Sequence, residues 1–499
     1  MGTALAAPRL RSGRHAALAA VACAITISGG LVLALKSPLD GLELPLVGLF
    51  MAVPLWLATT ARTGWALGCV LVYMGLVDGI LKLKTGEETA DLGRDVLLYA
   101  VIAGMAFRAR GPLKLPALGL WVLAWTAIIL IQLGHPDNGT ALHSVASLRQ
   151  HLEFVPLFFV GFAALRTHGS VNAFFALLLA VAAVNAAVGV YQGGLTPDEL
   201  AAWGPGYEGL LSGETEASPR TFEGADGEAR IRPPGLGSDM GFAGILGATA
   251  IPGGIALLLT HRHRRDLLAL IAIGLLGALV GVLSSQSRSA LLTAVVTAVA
   301  MLGLMAVGRQ AKRSLIGLAL AAALASISVM AISSHDSGAF HRYSSIVPSK
   351  AASTTIESRA GTWEEIPQYM REIPFGAGIG SAGPAAGLWD DREVELNAES
   401  QFNFLLVDAG IPGLAIFLAF QAALFWVIVS GLRRERDPRT VVLLAGVAAP
   451  LFGYAVNWLV GVNTTSTPNA AYLWLAAGVI SYWLVARHRR AAGRPLRDA

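Results

Sequence analysis

Residues 266–308 read DLLALIAIGLLGALVGVLSSQSRSALLTAVVTAVAMLGLMAVG, two long apolar runs separated by a short polar turn. Each run is about as long as the ~20-residue helix that crosses the hydrocarbon core of a bilayer. The whole chain shares this character: 54% of its 499 residues are hydrophobic and 14% are charged, against about 25% charged in a soluble domain. A soluble core could not bury so much apolar surface, so the sequence predicts an all-α polytopic membrane protein.

Apolar runs of this kind predict about fourteen transmembrane helices. The run at 95–107 is short, and the run at 145–165 is rather polar. The run at 400–431 is too long for a simple crossing, so we expect its beginning to lie outside the hydrocarbon. The predicted spans are 16–35, 42–59, 64–81, 95–107, 115–132, 145–165, 170–191, 236–260, 266–283, 288–308, 314–333, 400–431, 441–460 and 469–486.

The distribution of charge predicts the orientation. With the N-terminus in the cytoplasm, most Lys and Arg fall in cytoplasmic loops, whereas nearly all Asp and Glu fall elsewhere. This is the positive-inside pattern, and it places both termini in the cytoplasm. Because the basic residues form short clusters at helix ends, the net charge of +4 argues for a lipid bilayer and against nucleic acid as a partner.

Two long outer loops divide the chain, at 192–235 and 334–398. Both exceed the 12–15 residues beyond which a structureless loop is unusual, so function or local structure is expected in them. The predicted organisation has N-terminal transmembrane helices in 1–144 and a core with both loops in 145–431. C-terminal transmembrane helices and a basic cytoplasmic tail occupy 432–499.

Arginines near helix ends are the first candidates for chemistry, because charges at membrane depth persist when they are paired or functional. Arg288 begins an apolar run, where the helix dipole disfavours a cation. Its guanidinium can bind phosphate or pyrophosphate in a forked geometry, beside hydroxyls such as that of Ser287. Arg230 and Arg232 lie two residues apart on an extended segment and could hold a diphosphate. The alternatives are contacts with lipid headgroups and with loop carboxylates.

Carboxylates supply the remaining candidates. Arg149 and Glu153 have the i, i+4 spacing of a helical ion pair, which accounts for both structurally and leaves substrate contact as the alternative. Glu399 is expected where an outer loop meets the membrane, so it could act as a general base or simply cap a helix. Arginines and a candidate base on the outer face predict an anionic substrate reached from outside, and a lipid-linked diphosphate sugar fits that description.

Four motifs occur in a characteristic order. They are Arg230-Ile-Arg-Pro-Pro-Gly-Leu-Gly; Ser285-Gln-Ser-Arg-Ser-Ala-Leu-Leu; Arg359-Ala-Gly-Thr-Trp363 followed by Ile373-Pro-Phe-Gly-Ala-Gly-Ile-Gly380; and Glu399-Ser-Gln-Phe to Gly410-Ile-Pro-Gly413. With them the sequence resembles the O-antigen ligase and Wzy-type polysaccharide polymerase superfamily of bacterial membrane glycosyltransferases, over roughly residues 145–430.

The resemblance implies a GT-C-type membrane fold in the bacterial plasma (inner) membrane, with an active site on the extracytoplasmic face. It also implies metal-independent transfer without a cofactor from a polyprenyl-diphosphate-linked oligosaccharide. A chain-length regulator is a further candidate partner. Ligases of the superfamily usually carry a His-Asn pair where this chain has Glu399-Ser400, and the carboxylate looks more like the polymerase members.

The favoured interpretation is therefore a polysaccharide polymerase. Arg288 and Glu399 would be catalytic, and the substrate-binding residues would be Arg230, Arg232, Arg149, Arg359, Ser287 and Glu153. One alternative is a ligase that transfers finished glycan to a lipid, protein or wall acceptor. The others are a transporter or flippase of the same lipid-linked glycan and a non-catalytic scaffold.

Overall fold

A computed structural model describes the chain from residue 63 to residue 487 with gaps. The described residues are 63–86, 92–108, 118–136, 138, 140–212, 221–223, 229–239, 241–261, 263–310, 312, 315–317, 319, 322, 326, 363–383, 385–386, 400–459 and 461–487. The predicted spans at 16–35 and 42–59, Arg359 and Glu399 lie outside them, as does most of the span at 314–333.

Helices dominate the described residues, and a single β-hairpin interrupts them. The helices are α1 Thr63–Val72, α2 Asp78–Thr85, α3 Leu92–Arg108, α4 Gly119–Gln132, α5 Ala141–Leu152, α6 Pro156–Ala164, α7 His168–Gly193, α8 Pro197–Ala201, α9 Pro205–Ser212, α10 Phe242–Thr260, α11 Arg265–Ser284, α12 Arg288–Val307, α13 Ile366–Glu372, α14 Gln401–Arg434, α15 Pro438–Asn457 and α16 Asn469–Ser481. The strands β1 Thr221–Glu223 and β2 Ala229–Ile231 pair antiparallel.

Eight segments within the described ranges are long and apolar enough to cross a membrane, and each overlaps a predicted span. They are Thr63–Thr85, where a π-helical turn joins α1 to α2, His168–Gly193, Phe242–Thr260, Arg265–Ser284, Arg288–Val307, Gln401–Arg434, Pro438–Asn457 and Asn469–Ala486. This architecture is consistent with the predicted polytopic helical membrane protein.

Two predicted spans are not continuous helices. The run at 145–165 forms α5 and α6, which are separated at Glu153–Val155, and Pro156 begins the second helix. Proline suits a first helical position because its missing N–H would have no partner there. The run at 400–431 forms α14, which has a non-helical residue at Gly410 with φ 65° and ψ −168°.

Helix α10 lies at the centre of the bundle. In its most apolar stretch, 94% of the residues are buried. The helix packs against α7, α11, α12 and α15. Small residues allow this close approach: a Cβ on Gly247 would lie 2.3 Å from the carbonyl oxygen of Ala278. Such small-residue contacts are the usual means by which helices associate closely in membranes.

Candidate functional site

The turn between α11 and α12 places Arg288 at the first residue of α12. Gln286 adopts a positive φ of 54°, which reverses the chain within three residues. The Ser287 hydroxyl then caps α12 by accepting a hydrogen bond from the Ala290 amide (3.3 Å). Arg288 is exposed on this turn. The exposed guanidinium therefore lies beside a serine hydroxyl and the amide end of a helix, an arrangement suited to an anion.

The segment that follows Arg232 runs directly to this turn. Two side-chain amides of α7 hold this segment. The Gly235 N–H donates to Gln192 Oε1 (2.8 Å), and the Leu236 N–H donates to Asn185 Oδ1 (2.9 Å). The segment ends at Gly241, where a Cβ would lie only 2.8 Å from the Ser287 hydroxyl oxygen. The structure therefore places Gly241, nine residues after Arg232, against the Arg288 turn.

The start of α14 is held by the loop between α15 and α16, residues 458–469, which we call the α15–α16 loop. The Gln401 side chain donates to the Thr464 hydroxyl (2.7 Å) and accepts from the backbone amides of Asn463 (2.9 Å) and Thr464 (3.1 Å). Ser400 caps α14 through the Asn403 amide (3.1 Å). In the sequence, Glu399 immediately precedes this clamped position.

The same loop connects α14 to the Arg288 turn. The amide and the hydroxyl of Thr467 both donate to Asp239 Oδ2, at 2.7 and 2.8 Å. Asp239 lies two residues before Gly241, which contacts Ser287. The structure thus gathers the Arg288 turn, the segment after Arg232 and the residue after Glu399 at one end of the bundle, which we call the Arg288 end.

Arg149 and Glu153 belong to a different cluster. The predicted i, i+4 pair is present at 3.7 Å, but each residue has a closer partner from a distant part of the chain. Arg149 contacts Asp95 at 2.5 Å, and Glu153 pairs with Arg94. Arg94 also donates to Asp78 at 2.6 Å. Three carboxylates and two guanidinium groups thus alternate in one largely buried chain of ion pairs.

This chain of ion pairs accounts for the burial of its members. Asp78, Arg94 and Glu153 expose 2%, 7% and 5% of their surface, and an isolated charge so deep in a membrane protein would be costly. The spacing of Arg149 and Glu153 was visible in the sequence, whereas no local pattern marked Arg94, because its two partners lie 16 and 59 residues away.

Asp408 is the polar centre that sequence analysis missed. Its side chain is fully buried. Oδ2 accepts from His151 Nε2 (2.8 Å), Gln150 Nε2 (3.1 Å) and the Gly380 amide (3.1 Å), and Oδ1 accepts from the Ala382 amide (2.8 Å). Since a carboxylate only accepts hydrogen bonds, the proton of the imidazole contact resides on Nε2. One carboxylate therefore ties α5 and the segment after α13 to α14.

The segment 373–386, which we call the glycine loop, fits around Asp408 because it contains glycines with positive φ. At Gly380, with φ 77°, a Cβ would lie 1.9 Å from the Ser147 hydroxyl oxygen. The Gly380 carbonyl also contacts His143 Nε2 at 3.0 Å. The alternating glycines of Gly376-Ala-Gly-Ile-Gly380 were the sequence signal for this close approach.

An apolar cleft lies among α1, α6, α7, α10 and α16. Its lining is almost entirely aliphatic or aromatic and includes Leu67, Val181 and Leu246. Thr467 of the α15–α16 loop also lines it, so the cleft is continuous with the loop that reaches Asp239. Among the described residues, no group of three or more His, Cys, Asp or Glu side chains is arranged to hold a metal ion.

Comparison with known proteins identifies one region. Residues 273–418 match the family model described as O-Antigen ligase, and this region contains the Arg288 turn, the glycine loop and the first part of α14. The match confirms the resemblance to the O-antigen ligase and Wzy-type superfamily, and it supports a glycan-transferring function at a membrane. No curated protein and no solved structure matches the chain significantly.

Proposed function

We propose that this chain, of which residues 273–418 match the O-Antigen ligase family model, polymerises polyprenyl-diphosphate-linked oligosaccharide repeats. The observation that carries the proposal is the convergence at the Arg288 end. There the contacts Ser287–Gly241, Asp239–Thr467 and Thr464–Gln401 join an exposed guanidinium to the start of α14. The proposal includes about fourteen spans, both termini in the cytoplasm, and an Arg288 end on the extracytoplasmic face of the bacterial plasma membrane.

The proposed donor is the growing chain on its lipid diphosphate. Arg288, with Arg230 or Arg232, binds the diphosphate and stabilises the charge that develops as this group leaves. Glu399 takes the proton of a hydroxyl on the acceptor sugar. The hydroxyl oxygen bonds to the anomeric carbon, and the bond from that carbon to the diphosphate breaks, so the leaving group departs with the electron pair. No metal or cofactor takes part in this scheme.

The lipid tail of such a substrate needs an apolar path. The apolar cleft is lined in part by Thr467 of the α15–α16 loop, so its lining supports a position for the polyprenyl chain beside the Arg288 end. Arg149, Glu153 and Arg359 stay candidate substrate-binding residues. Of these, Arg149 exposes 29% of its side chain despite its two carboxylate partners.

A ligase is the second candidate, and the description of the matching family favours it. It would use the same donor and the same Arg288 end but deliver finished glycan to a lipid, protein or wall acceptor. Glu399-Ser400 in place of a His-Asn pair supports the polymerase. A transporter would be expected to carry its charges at a substrate path near the midplane, whereas Arg288 lies at the exposed end of a helix.

The test is the size distribution of lipid-linked and surface glycan in cells that lack the protein and are complemented with variants. We expect Glu399→Gln and Arg288→Lys to leave single lipid-linked repeats, since a point charge does not reproduce the guanidinium fork. Glu364→Gln and Arg371→Lys, on exposed residues in or just before α13, are the matched controls and should restore long chains. Long lipid-linked chains that fail to reach an acceptor in the Glu399→Gln strain would instead identify a ligase.

A further inference from the structure

The α15–α16 loop has an unusual composition for a segment next to a proposed diphosphate site. Residues 463–469 read Asn-Thr-Thr-Ser-Thr-Pro-Asn, so six of seven side chains carry an uncharged hydroxyl or amide. Residues 461–466 are half-buried, which leaves them partly accessible. Such groups both donate and accept hydrogen bonds, and this capacity suits sugar hydroxyls better than it suits phosphate.

Part of this polar capacity is unused. Asn469 exposes 5% of its surface, and its Nδ2 donates to Asn463 Oδ1 at 2.7 Å. Among the described residues, Asn469 Oδ1 has no hydrogen-bond partner, although it is buried, and the side-chain hydroxyls of Thr465 and Ser466 make no hydrogen bond. A buried acceptor without a partner costs free energy, so a hydrogen bond donated by a sugar hydroxyl would stabilise the complex.

An aromatic pair lies on a neighbouring part of the α14 start. The rings of Trp363 and Phe402 have centroids 5.5 Å apart and are tilted by 50°. Trp363 still exposes 40% of its surface. Phe402 directly follows Gln401, the residue that the α15–α16 loop clamps. The first turn of α14 is therefore flanked by an accessible indole and by a loop of neutral hydroxyls and amides.

We propose that Trp363 and the α15–α16 loop form a subsite for an uncharged sugar unit of the acceptor glycan. The apolar face of a pyranose ring would pack on the indole, and its hydroxyls would bond to the loop, as in other sites that combine an apolar surface with a few polar groups. The assignment of this sugar to the acceptor rests on the proposed function, since Glu399 precedes the same helical turn. The subsite itself requires only that the protein binds neutral saccharide.

The test is equilibrium binding of a fluorescently labelled oligosaccharide to the full chain in lipid nanodiscs. The probe is the host's own repeat unit, released from its lipid diphosphate by mild acid. We expect Trp363→Ala to weaken binding about tenfold and Thr465→Val, which replaces a hydroxyl by a methyl group, about threefold. Trp363→Phe keeps an aromatic face and should stay within about twofold of the wild type. Trp426→Ala, at a 73% exposed residue of α14 far along the helix from Phe402, is the matched control and should also stay within about twofold of the wild type.

Unchanged affinity in the Trp363→Ala protein, or no binding of the probe by the wild type, would overturn the subsite. Trp363→Phe is the control for loss of folding at this position. Its monodispersity and its affinity are measured together, and both should be kept. The binding assay needs no turnover, so the two proposals fail separately. A wild type that binds the probe but never elongates chains refutes the polymerase alone, whereas an active Trp363→Ala protein with normal affinity refutes the subsite alone.

Discussion

Replacing Asp408 by Asn should release the glycine loop from the bundle. The side chain keeps its shape, but one of its two acceptor oxygens becomes an NH2 group. If the amide oxygen takes the Oδ2 position, it retains the donors from Gln150, His151 and Gly380. The NH2 group then faces the Ala382 amide, which donated at 2.8 Å, and two donors oppose each other in a buried place.

The magnitude follows from these four hydrogen bonds. A buried donor left without an acceptor costs about 1–3 kcal/mol. The three remaining bonds lose their charge assistance, which is worth about 1 kcal/mol each. The glycine loop should therefore open more easily by roughly 4–6 kcal/mol. Even the lower value corresponds to amide exchange that is several hundredfold faster.

Hydrogen–deuterium exchange with mass spectrometry on purified protein measures this directly. Peptides that contain Gly380 and Ala382 should lose protection in the Asp408→Asn protein, while peptides from α10 should keep theirs. Asp198→Asn, a change at an exposed carboxylate, is the matched control. Protection within about tenfold of the wild type at Gly380 and Ala382 would refute the account of Asp408 as the group that holds the loop.

Three further changes test other parts of the structure. Arg94→Met should cost about 3–5 kcal/mol in thermal or denaturant stability, because it leaves Asp78 and Glu153 buried without their shared guanidinium. Gly410→Ala should destabilise the fold by more than about 1–3 kcal/mol, because φ is 65° there and the new Cβ would lie 2.3 Å from the carbonyl carbon of Phe375. Its control is Gly303→Ala, which has open space around the new Cβ and should stabilise α12 by about 0.5–1 kcal/mol. Asp437→Ala should remove a cap worth about 1 kcal/mol or less, measured as the melting-temperature difference from wild type at several pH values.

The sign of the Asp437 effect comes from its hydrogen bonds. Partial burial alone would raise the pKa of Asp437, but the Thr440 hydroxyl and the amides of Arg439 and Thr440 outweigh burial and lower the pKa below its ordinary value. A lowered pKa in the folded state stabilises the protein above the unfolded pKa of about 3.9, and this stability is lost as the pH falls through the folded value. The wild-type advantage should thus be present at pH 7 and absent near pH 2; a constant advantage would contradict the cap.

Each of the other two changes also has an outcome that would count against it. An Arg94→Met protein as stable as the wild type would mean that the buried carboxylates do not depend on that guanidinium. Equal effects of Gly410→Ala and Gly303→Ala would mean that the break in α14 relaxes without strain. Both comparisons use the melting temperatures of variant and wild-type protein in the same detergent.

The sequence alone determined the class of fold and most of the described helices. Runs such as 266–283 and 288–308 match α11 and α12 within a few residues, because spanning a bilayer depends on local hydropathy and length. The 400–431 run was recognised as too long for one simple span, whereas the break in its helix at Gly410 appeared only in the structure. The motif around Arg288 was visible for the same reason, since an arginine beside hydroxyls at the end of an apolar run is a local pattern.

Only the tertiary structure decided which distant groups meet. Asp408 lies 257 residues from His151 and 28 from Gly380, so no local pattern marked it as the group on which they converge. Arg94 meets Glu153 across 59 residues. The α15–α16 loop carries no charge and no motif, yet it joins α14 to the Arg288 turn. Hydropathy is a property of neighbouring residues, whereas the partner of a buried charge or amide is set by how the helices pack.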